Sequence, residues 1–135
     1  MALAVKDALL KVTKALPNGA ATVYSDGIDL GHGSKGDFLA EVEFKISAPV
    51  LTTTQQPNAK TLTYTIQHDD AVGFGTVADL YPGVIVQTGA GGVGCIAAEF
   101  AARLPVDVKR YVRVKAVGSA TGDSSAASLT FEVLL

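Results

Sequence analysis

The sequence predicts an all-β fold, a jelly-roll-like antiparallel two-sheet sandwich with an N-terminal arm. Two patterns predict this fold class. Apolar and polar residues alternate with a period of two through the body of the chain, and clusters of turn-forming residues separate the alternating runs. The third observation is size: the chain has 135 residues, 48% of them hydrophobic, and is therefore long enough to bury one core.

The alternating segments also predict which residues are buried. Successive side chains of a strand point to opposite faces of a sheet, so every second residue of such a segment is expected to face the core. The inward residues predicted in this way are Phe38, Ala40, Val42, Phe44, Ile46, Leu62, Tyr64, Ile66, Val112, Val114, Ala116, Leu129, Phe131, Val133 and Leu135.

Turn-forming residues lie between these segments, because Gly, Pro, Asn and Asp supply the backbone angles and side-chain acceptors that tight turns need. The predicted turns are Pro17-Asn18-Gly19, residues 31–36, residues 55–58, Tyr81-Pro82-Gly83 and residues 118–123. No internal repeat or linker interrupts the chain. Its organisation is therefore predicted as an arm or first strand at residues 1–16, followed by one sandwich domain at residues 17–135.

The N-terminal segment fits two structures. A helix would place Val5, Leu9, Val12 and Leu16 on one stripe, whereas a strand would align Ala8, Leu10 and Val12. We expect an extended arm or a first strand, and a short helix that caps the core is the alternative.

Composition narrows the classes of partner and compartment. The net charge of −2 gives no general attraction to nucleic acid or to an anionic membrane. No apolar run reaches the roughly 18 residues that a spanning helix needs. Charged residues interrupt residues 1–16, which therefore lack the apolar core of a signal peptide. The single cysteine, Cys95, cannot form an intrachain disulfide, so an intracellular origin is the simpler interpretation.

One motif matches a cofactor site by spacing. Gly89-x-Gly91-x-x-Gly94 has the spacing of a dinucleotide-binding fingerprint. Too few residues follow it for the remaining strand–helix units of such a fold, and alternating strand-like sequence precedes it. We therefore expect a flexible glycine hairpin loop and no cofactor, followed by a strand whose inward residues are Ile96, Ala98, Phe100, Ala102 and Leu104.

No residue pattern predicts catalysis. The two histidines are His32 and His68, and the run His68-Asp69-Asp70 supplies polar groups at one place. A metal site needs three or four ligands in suitable geometry, and a strand that ends in a polar turn explains this run equally well. Cys95 has no neighbouring histidine to activate it. We expect no enzyme activity, no metal and no catalytic residues.

A basic strand face is the candidate for partner binding. Lys109, Tyr111, Arg113 and Lys115 share one face of their predicted strand, whereas Glu41 and Glu43 lie on another strand. Solvated faces that pair across strands are one interpretation, and a docking surface with an aromatic residue among cations is the other.

Several segments, in order along the chain, resemble the Bbp16-type family of tailed-bacteriophage capsid cement (decoration) proteins. The matching stretches are VYSDGIDLG at 23–31, LAEVEFKISAPV, TIQHDDAVGFGTVADL at 65–80, LPVDVKRYVRVKAVGSATG at 104–122 and the closing SLTFEVLL. Residues 1–16 have no clear counterpart in this resemblance, and the GAGGVG loop is unusually rich in glycine for it.

The resemblance implies a function for the chain. It implies a structural virion protein, made in the bacterial host cytoplasm, that sits on the outer capsid surface and cements neighbouring major capsid protein subunits as a homo-oligomer, either dimer or trimer. The residues expected to make capsid or subunit contacts are Tyr111, Arg113, Lys115, Thr52, Gln55, Gln56, Lys6 and Lys11. A phage tail or fibre domain is the alternative. A carbohydrate-binding sandwich is disfavoured because there is no Trp, and a dinucleotide-binding fragment at Gly89–Gly94 is the weakest alternative.

Overall fold

The structure is a computed structural model that describes residues 11–30, 43–103, 105 and 107–134. These residues form nine strands: β1 Lys11–Ala15, β2 Thr22–Tyr24, β3 Ile28–Asp29, β4 Glu43–Ala48, β5 Thr61–Asp69, β6 Ala78–Thr88, β7 Ala98–Arg103, β8 Tyr111–Gly118 and β9 Ser128–Leu134. No helix in these ranges is long and apolar enough to cross a membrane.

The strands form two antiparallel sheets. One sheet has the order β1-β9-β4-β7 and the other has the order β2-β8-β5-β6, with β3 pairing to β8 beside β2. With β3 set aside, each strand lies in the opposite sheet from the strand before it, except that β6 stays beside β5, and this interleaved order is that of a jelly roll. The predicted all-β jelly-roll-like sandwich is therefore confirmed.

The core lies between the inner faces of the two sheets. Its largest fully buried apolar side chains are Tyr64, Phe44 and Phe131, and Phe44 packs on Phe131 with ring centres 5.8 Å apart. Burial confirms the predicted inward residues of these segments that the structure describes, namely Phe44, Ile46, Leu62, Tyr64, Ile66, Val112, Val114, Ala116, Leu129, Phe131 and Val133. The predicted inward residues Phe38, Ala40, Val42 and Leu135 lie outside the described residues.

The described part of the N-terminal segment is a strand. Residues Lys11–Ala15 pair with β9, Val12 lies opposite Phe131, and Leu16 is buried in the core. Lys6 lies outside the described residues, as do His32 and the predicted turn at 31–36.

One predicted turn is wrong. Tyr81-Pro82-Gly83 lies inside β6, where the pairing with β5 shifts register between Tyr64 and Gln67. β6 is the edge strand of its sheet, and an edge strand tolerates a proline because no further strand needs the missing N–H. The turn-forming residues therefore mark a bulge in a continuous strand.

The glycine-rich segment is not a hairpin loop, which corrects a second prediction. β6 pairs with β5 and β7 pairs with β4, so residues 89–97 lead from one sheet to the other. Within the strand that follows, Ala98, Phe100 and Ala102 are half-buried as predicted, but Ile96 precedes the strand and is exposed. Leu104 lies outside the described residues.

Four connections meet at one end of the sandwich, which we call the loop pole: residues 16–21, 49–60, 89–97 and 119–127. Hydrogen bonds and bridges join them to one another, as in the pairs Asn18–Asp123, Leu51–Cys95 and Asn58–Gly89. The β5–β6 connection and the described residues of the β7–β8 connection lie at the opposite end, whereas β2 and β3 follow one another along β8.

Candidate functional site

An arginine between two aromatic rings lies on the outer face of the β2-β8-β5-β6 sheet. The guanidinium carbon of Arg113 lies 4.1 Å from the ring centre of Tyr24 and 4.3 Å from that of Phe74. Arg113 Nε donates to Gln67 Oε1 at 3.0 Å, and Gln67 Nε2 donates to Asp79 Oδ1 at 3.0 Å. We call these five residues, Tyr24, Gln67, Phe74, Asp79 and Arg113, the Arg113 cluster.

The sheet register builds this cluster. Arg113 on β8 lies directly opposite Gln67 on β5, and Gln67 lies opposite Asp79 on β6. Three outward side chains therefore form one row across three strands, as expected of cross-strand neighbours. Burial lowers the pKa of Arg113, but an arginine keeps its charge at any physiological pH.

The loop between β5 and β6 supplies the second ring. Phe74 is buried against the sheet, with its backbone in the left-handed region at a φ of +54°. Gly27 is in close contact with the Phe74 ring. A Cβ on Gly27 would come within 2.8 Å of that ring. A bulky residue rarely adopts this backbone conformation, so the packing around the ring holds the loop in place.

Asp69 fastens the two ends of the same loop. Its carboxylate accepts hydrogen bonds from Ala71 N at 3.2 Å and from Thr76 N at 2.8 Å, and the Thr76 hydroxyl also donates to it. Desolvation acts to raise the pKa of Asp69, but the hydrogen bonds from Thr76, Ala71 and Asp70 outweigh it, so the pKa lies below its usual value.

The run His68-Asp69-Asp70 is structural in the part of the protein described. His68 Nδ1 accepts a hydrogen bond from Lys109 N at 3.2 Å, which ties β5 to the start of β8. Asp69 fastens the loop as described above, while Asp70 is exposed. No group of three or more potential metal ligands occurs among residues 11–30, 43–103, 105 and 107–134.

Some side chains of the predicted basic face already make contacts within the protein. Tyr111 and Lys115 lie half-buried on the outer side of β8, on the same face as Arg113. The guanidinium of the neighbouring Arg110 is paired with Asp29 through two contacts of 2.8 and 3.0 Å, and it lies 5.2 Å from the Tyr111 ring. The structure thus places Tyr111, Arg113 and Lys115 on one face. The Arg113 side chain, however, already contacts other residues of this chain, as described above for the Arg113 cluster.

The predicted contact residues Thr52, Gln55 and Gln56 lie in the β4–β5 connection, and not all of them are at its surface. Thr52 is exposed and Gln55 is half-buried, and the two residues close a turn by reciprocal hydrogen bonds between side chain and backbone. Gln56 is 0% exposed, with its amide donating to Lys60 O and Gln87 O, which corrects its prediction as a surface contact residue. Lys11 is exposed on β1, on the other sheet.

Lys60 is buried at the loop pole. Its ammonium donates to Gly122 O and, at 3.4 Å, to Gln55 O, so it joins the β4–β5 connection to the β8–β9 connection. Burial lowers the pKa of Lys60, and the nearby Asp123 carboxylate partly offsets this effect.

A second polar group ties the loop pole to the core. Tyr64 Oη donates to Gln87 Oε1 at 2.6 Å, and Gln87 Nε2 donates to Pro49 O at 2.8 Å and Ile96 O at 3.0 Å. Burial raises the pKa of Tyr64 and also that of the Cys95 thiol. Both groups therefore stay protonated at neutral pH, which leaves Cys95 a small, weakly reactive side chain.

Close packing explains the glycine spacing. A Cβ on Gly89 would lie 2.1 Å from Pro57 O, and a Cβ on Gly94 would lie 2.0 Å from Leu51 O. The segment that follows is strand β7, so no helix N-terminus faces these glycines as it does in a dinucleotide fold. The motif allows two connections to pack backbone against backbone.

Sequence reasoning found Arg113 but missed the residues around it. Tyr24, Gln67 and Phe74 were not predicted as functional, since no short-range pattern joins β2, β5 and the β5–β6 loop. One signal was present: Phe74 stands between Gly73 and Gly75, an arrangement that favours an irregular loop turned back toward the protein.

No protein-family model and no curated protein matches the chain. Among solved structures, an electron cryo-microscopy structure of the cowpea mosaic virus empty virus-like particle has a TM-score of 0.46 at 7% identity, over 92% of this chain and 76% of that chain. A crystal structure of Caldicellulosiruptor saccharolyticus CBM27-1 in complex with mannohexaose has a TM-score of 0.45 at 12% identity, over 90% and 70% of the two chains. These similarities assign neither a function nor a partner to the chain.

Proposed function

We propose that this chain is a structural virion protein that binds the outside of a bacteriophage head and cements neighbouring major capsid subunits. It acts by binding, without catalysis and without a cofactor. The proposal begins from the sequence resemblance to the Bbp16-type cement proteins, and one structural observation supports it.

The observation is that three of the matching stretches meet in the Arg113 cluster. The stretch at 23–31 contributes Tyr24, the stretch at 65–80 contributes Gln67, Phe74 and Asp79, and the stretch at 104–122 contributes Arg113. Segments that are distant in sequence thus supply all members of one stacked and hydrogen-bonded cluster. The matching stretches therefore contact one another in the folded protein, as expected if they form one surface.

The mechanism follows from a rigid scaffold with several contact surfaces. A cement protein that touches more than one subunit forms its later contacts at high local concentration, so weak individual patches suffice. The protein is proposed to act as a homo-oligomer, dimer or trimer, because closed symmetry suits a site between related subunits. Binding to the assembled shell adds free energy to that state and so stabilises it.

The test uses purified protein and heads of the cognate phage that lack it. We expect the protein to co-sediment with assembled heads, to bind free capsid subunits poorly, and to raise the temperature at which heads rupture. Heads that neither bind the protein nor gain stability would overturn the proposal and favour a tail or fibre domain. Binding to isolated tails under the same conditions would identify that alternative.

A further inference from the structure

The loop pole is almost free of charge. Its four connections, residues 16–21, 49–60, 89–97 and 119–127, contain only Lys60 and Asp123 as charged residues. Lys60 is buried on backbone carbonyls, and Asp123 accepts hydrogen bonds from the backbone and hydroxyl of Ser125. The described connections at the opposite end carry Asp70, Asp107, Lys109 and Arg110.

The same pole exposes large apolar side chains. Val50, Val93 and Ile96 are 67%, 77% and 83% exposed, which makes them three of the most exposed large apolar residues described. The pairing of Ala48 with Ala98 continues in register to the bridge between Leu51 and Cys95. This register places Val50 across from Ile96, so the two side chains belong to one surface.

Hydrogen bonds hold this surface in a fixed shape. Gly92 N donates to Asn58 Oδ1 at 2.9 Å, Ala59 N donates to Gly89 O at 2.9 Å, and Val93 N donates to Ala90 O at 3.3 Å. Gly94 packs directly on the backbone of Leu51. A surface already ordered before binding loses little conformational entropy when a partner docks.

We propose that the loop pole is the surface that docks on the head, with Val50, Val93 and Ile96 against an uncharged, apolar surface of the capsid protein. This inference rests on the proposed function. Charge complementarity indicates the partner: burying an unpaired charge is costly, so a pole whose exposed side chains are uncharged apart from Asp123 favours a neutral partner surface. Nucleic acid and anionic lipid would need exposed cations, and the only cation of the pole, Lys60, is buried.

The test compares aspartate substitutions at the two ends of the sandwich. Val93→Asp and Ile96→Asp place a charge on the loop pole, whereas Val72→Asp places one on an equally exposed valine, 73% exposed, in the β5–β6 loop. We expect Val93→Asp and Ile96→Asp to weaken co-sedimentation with heads about tenfold or more, and Val72→Asp to bind like wild type. Ile96→Ser supplies a milder variant if an aspartate variant unfolds, as judged by circular dichroism.

The outcomes separate the inference from the function on which it rests. Wild-type protein that fails to bind heads overturns both. Wild-type protein that binds while all loop-pole variants bind equally well overturns the docking surface and leaves the cement function standing. Sedimentation velocity adds a third arm: if the variants lose self-association but still bind heads, the pole is an interface between copies of this chain and the inference is wrong.

Discussion

The guanidinium of Arg113 is stacked on the ring of Phe74, with the guanidinium carbon 4.3 Å from the ring centre. The guanidinium comes from the central strand β8 and the ring from the β5–β6 loop, so this contact fixes a loop to the outer face of a sheet. Phe74 occupies a backbone conformation that costs on the order of 1–3 kcal/mol. The stacking and the packing on Gly27 offset that cost.

Replacing Arg113 should therefore destabilise the fold, although its side chain points away from the core. Arg113→Met removes two ring contacts and a charged hydrogen bond to Gln67, and we expect a loss of about 2 kcal/mol in the free energy of unfolding. Urea denaturation measures this loss. Lys115→Met, on the same face of β8, is the control and should cost less than about 0.5 kcal/mol; equal losses would mean that the stacking contributes nothing.

Asp69 should make stability fall in acid. The pKa of this carboxyl in the folded protein lies below its unfolded value of about 3.9. Between the two values the unfolded chain binds more protons, so the free energy of unfolding decreases as the pH falls through that window. Thermal unfolding of wild type and Asp69→Asn below about pH 5 tests this, and the asparagine variant should be less stable at neutral pH and less sensitive to acid. Asp70→Asn, exposed and next in sequence, should behave like wild type.

Lys60 should give the same sign of pH dependence in the basic range. Burial lowers the pKa of its ammonium below the unfolded value of about 10.4, so between the two values the unfolded chain binds more protons. The free energy of unfolding should rise with pH in this window, and Lys60→Met should abolish the rise.

The Lys60 measurement needs a Cys95→Ser background in both proteins. Burial raises the pKa of the Cys95 thiol, which makes the free energy of unfolding fall with pH above about 8.5. Denaturant titrations measure the pH dependence. Unfolded tyrosine, with a pKa of about 10, also ionises in this range, but both proteins contain the same tyrosines, so its contribution cancels in their comparison. An identical pH dependence with and without Lys60 would contradict the prediction.

A comparison of Gly94 with Gly92 separates the cost of disrupting close packing from the cost of backbone strain. Both have left-handed backbones, with φ of +76° and +70°, but only Gly94 lies against another backbone. Gly92→Ala should cost about 1–2 kcal/mol from backbone strain alone. Gly94→Ala adds a clash with Leu51 O and should cost at least about 2 kcal/mol more. Similar melting temperatures for the two variants would show that the connections separate freely.

The glycine motif should bind no dinucleotide. The backbone of the β4–β5 connection occupies the space beside Gly89 and Gly94, and a strand follows the motif. Calorimetry with NAD(H), NADP(H) and FAD should show no heat of binding. A micromolar site that Gly91→Ala removes would restore the cofactor interpretation.

The local pattern of residues was sufficient for the fold class and for most of the core. Alternation along β4, β5, β8 and β9 identifies the buried side chains, because burial of one sheet face requires a period of two whatever the partner sheet is. The same rule failed at Ile96, which precedes the first residue of β7 and so lies beyond the region where the opposite sheet covers it. It also could not distinguish a turn from a bulge at Tyr81-Pro82-Gly83, because both use the same residues.

The sequence by itself determined an all-β jelly-roll-like sandwich, the strand that carries Arg113, and the absence of a recognisable catalytic motif. Only the tertiary structure decided that Arg113 is enclosed by Tyr24 and Phe74, that Gln56 and Lys60 are buried, and that the four connections with few charges lie together at one pole. The physical reason is the separation in sequence of the residues involved. Alternation and turn chemistry are set by neighbouring residues, whereas these contacts join segments that meet only after the two sheets have paired and packed.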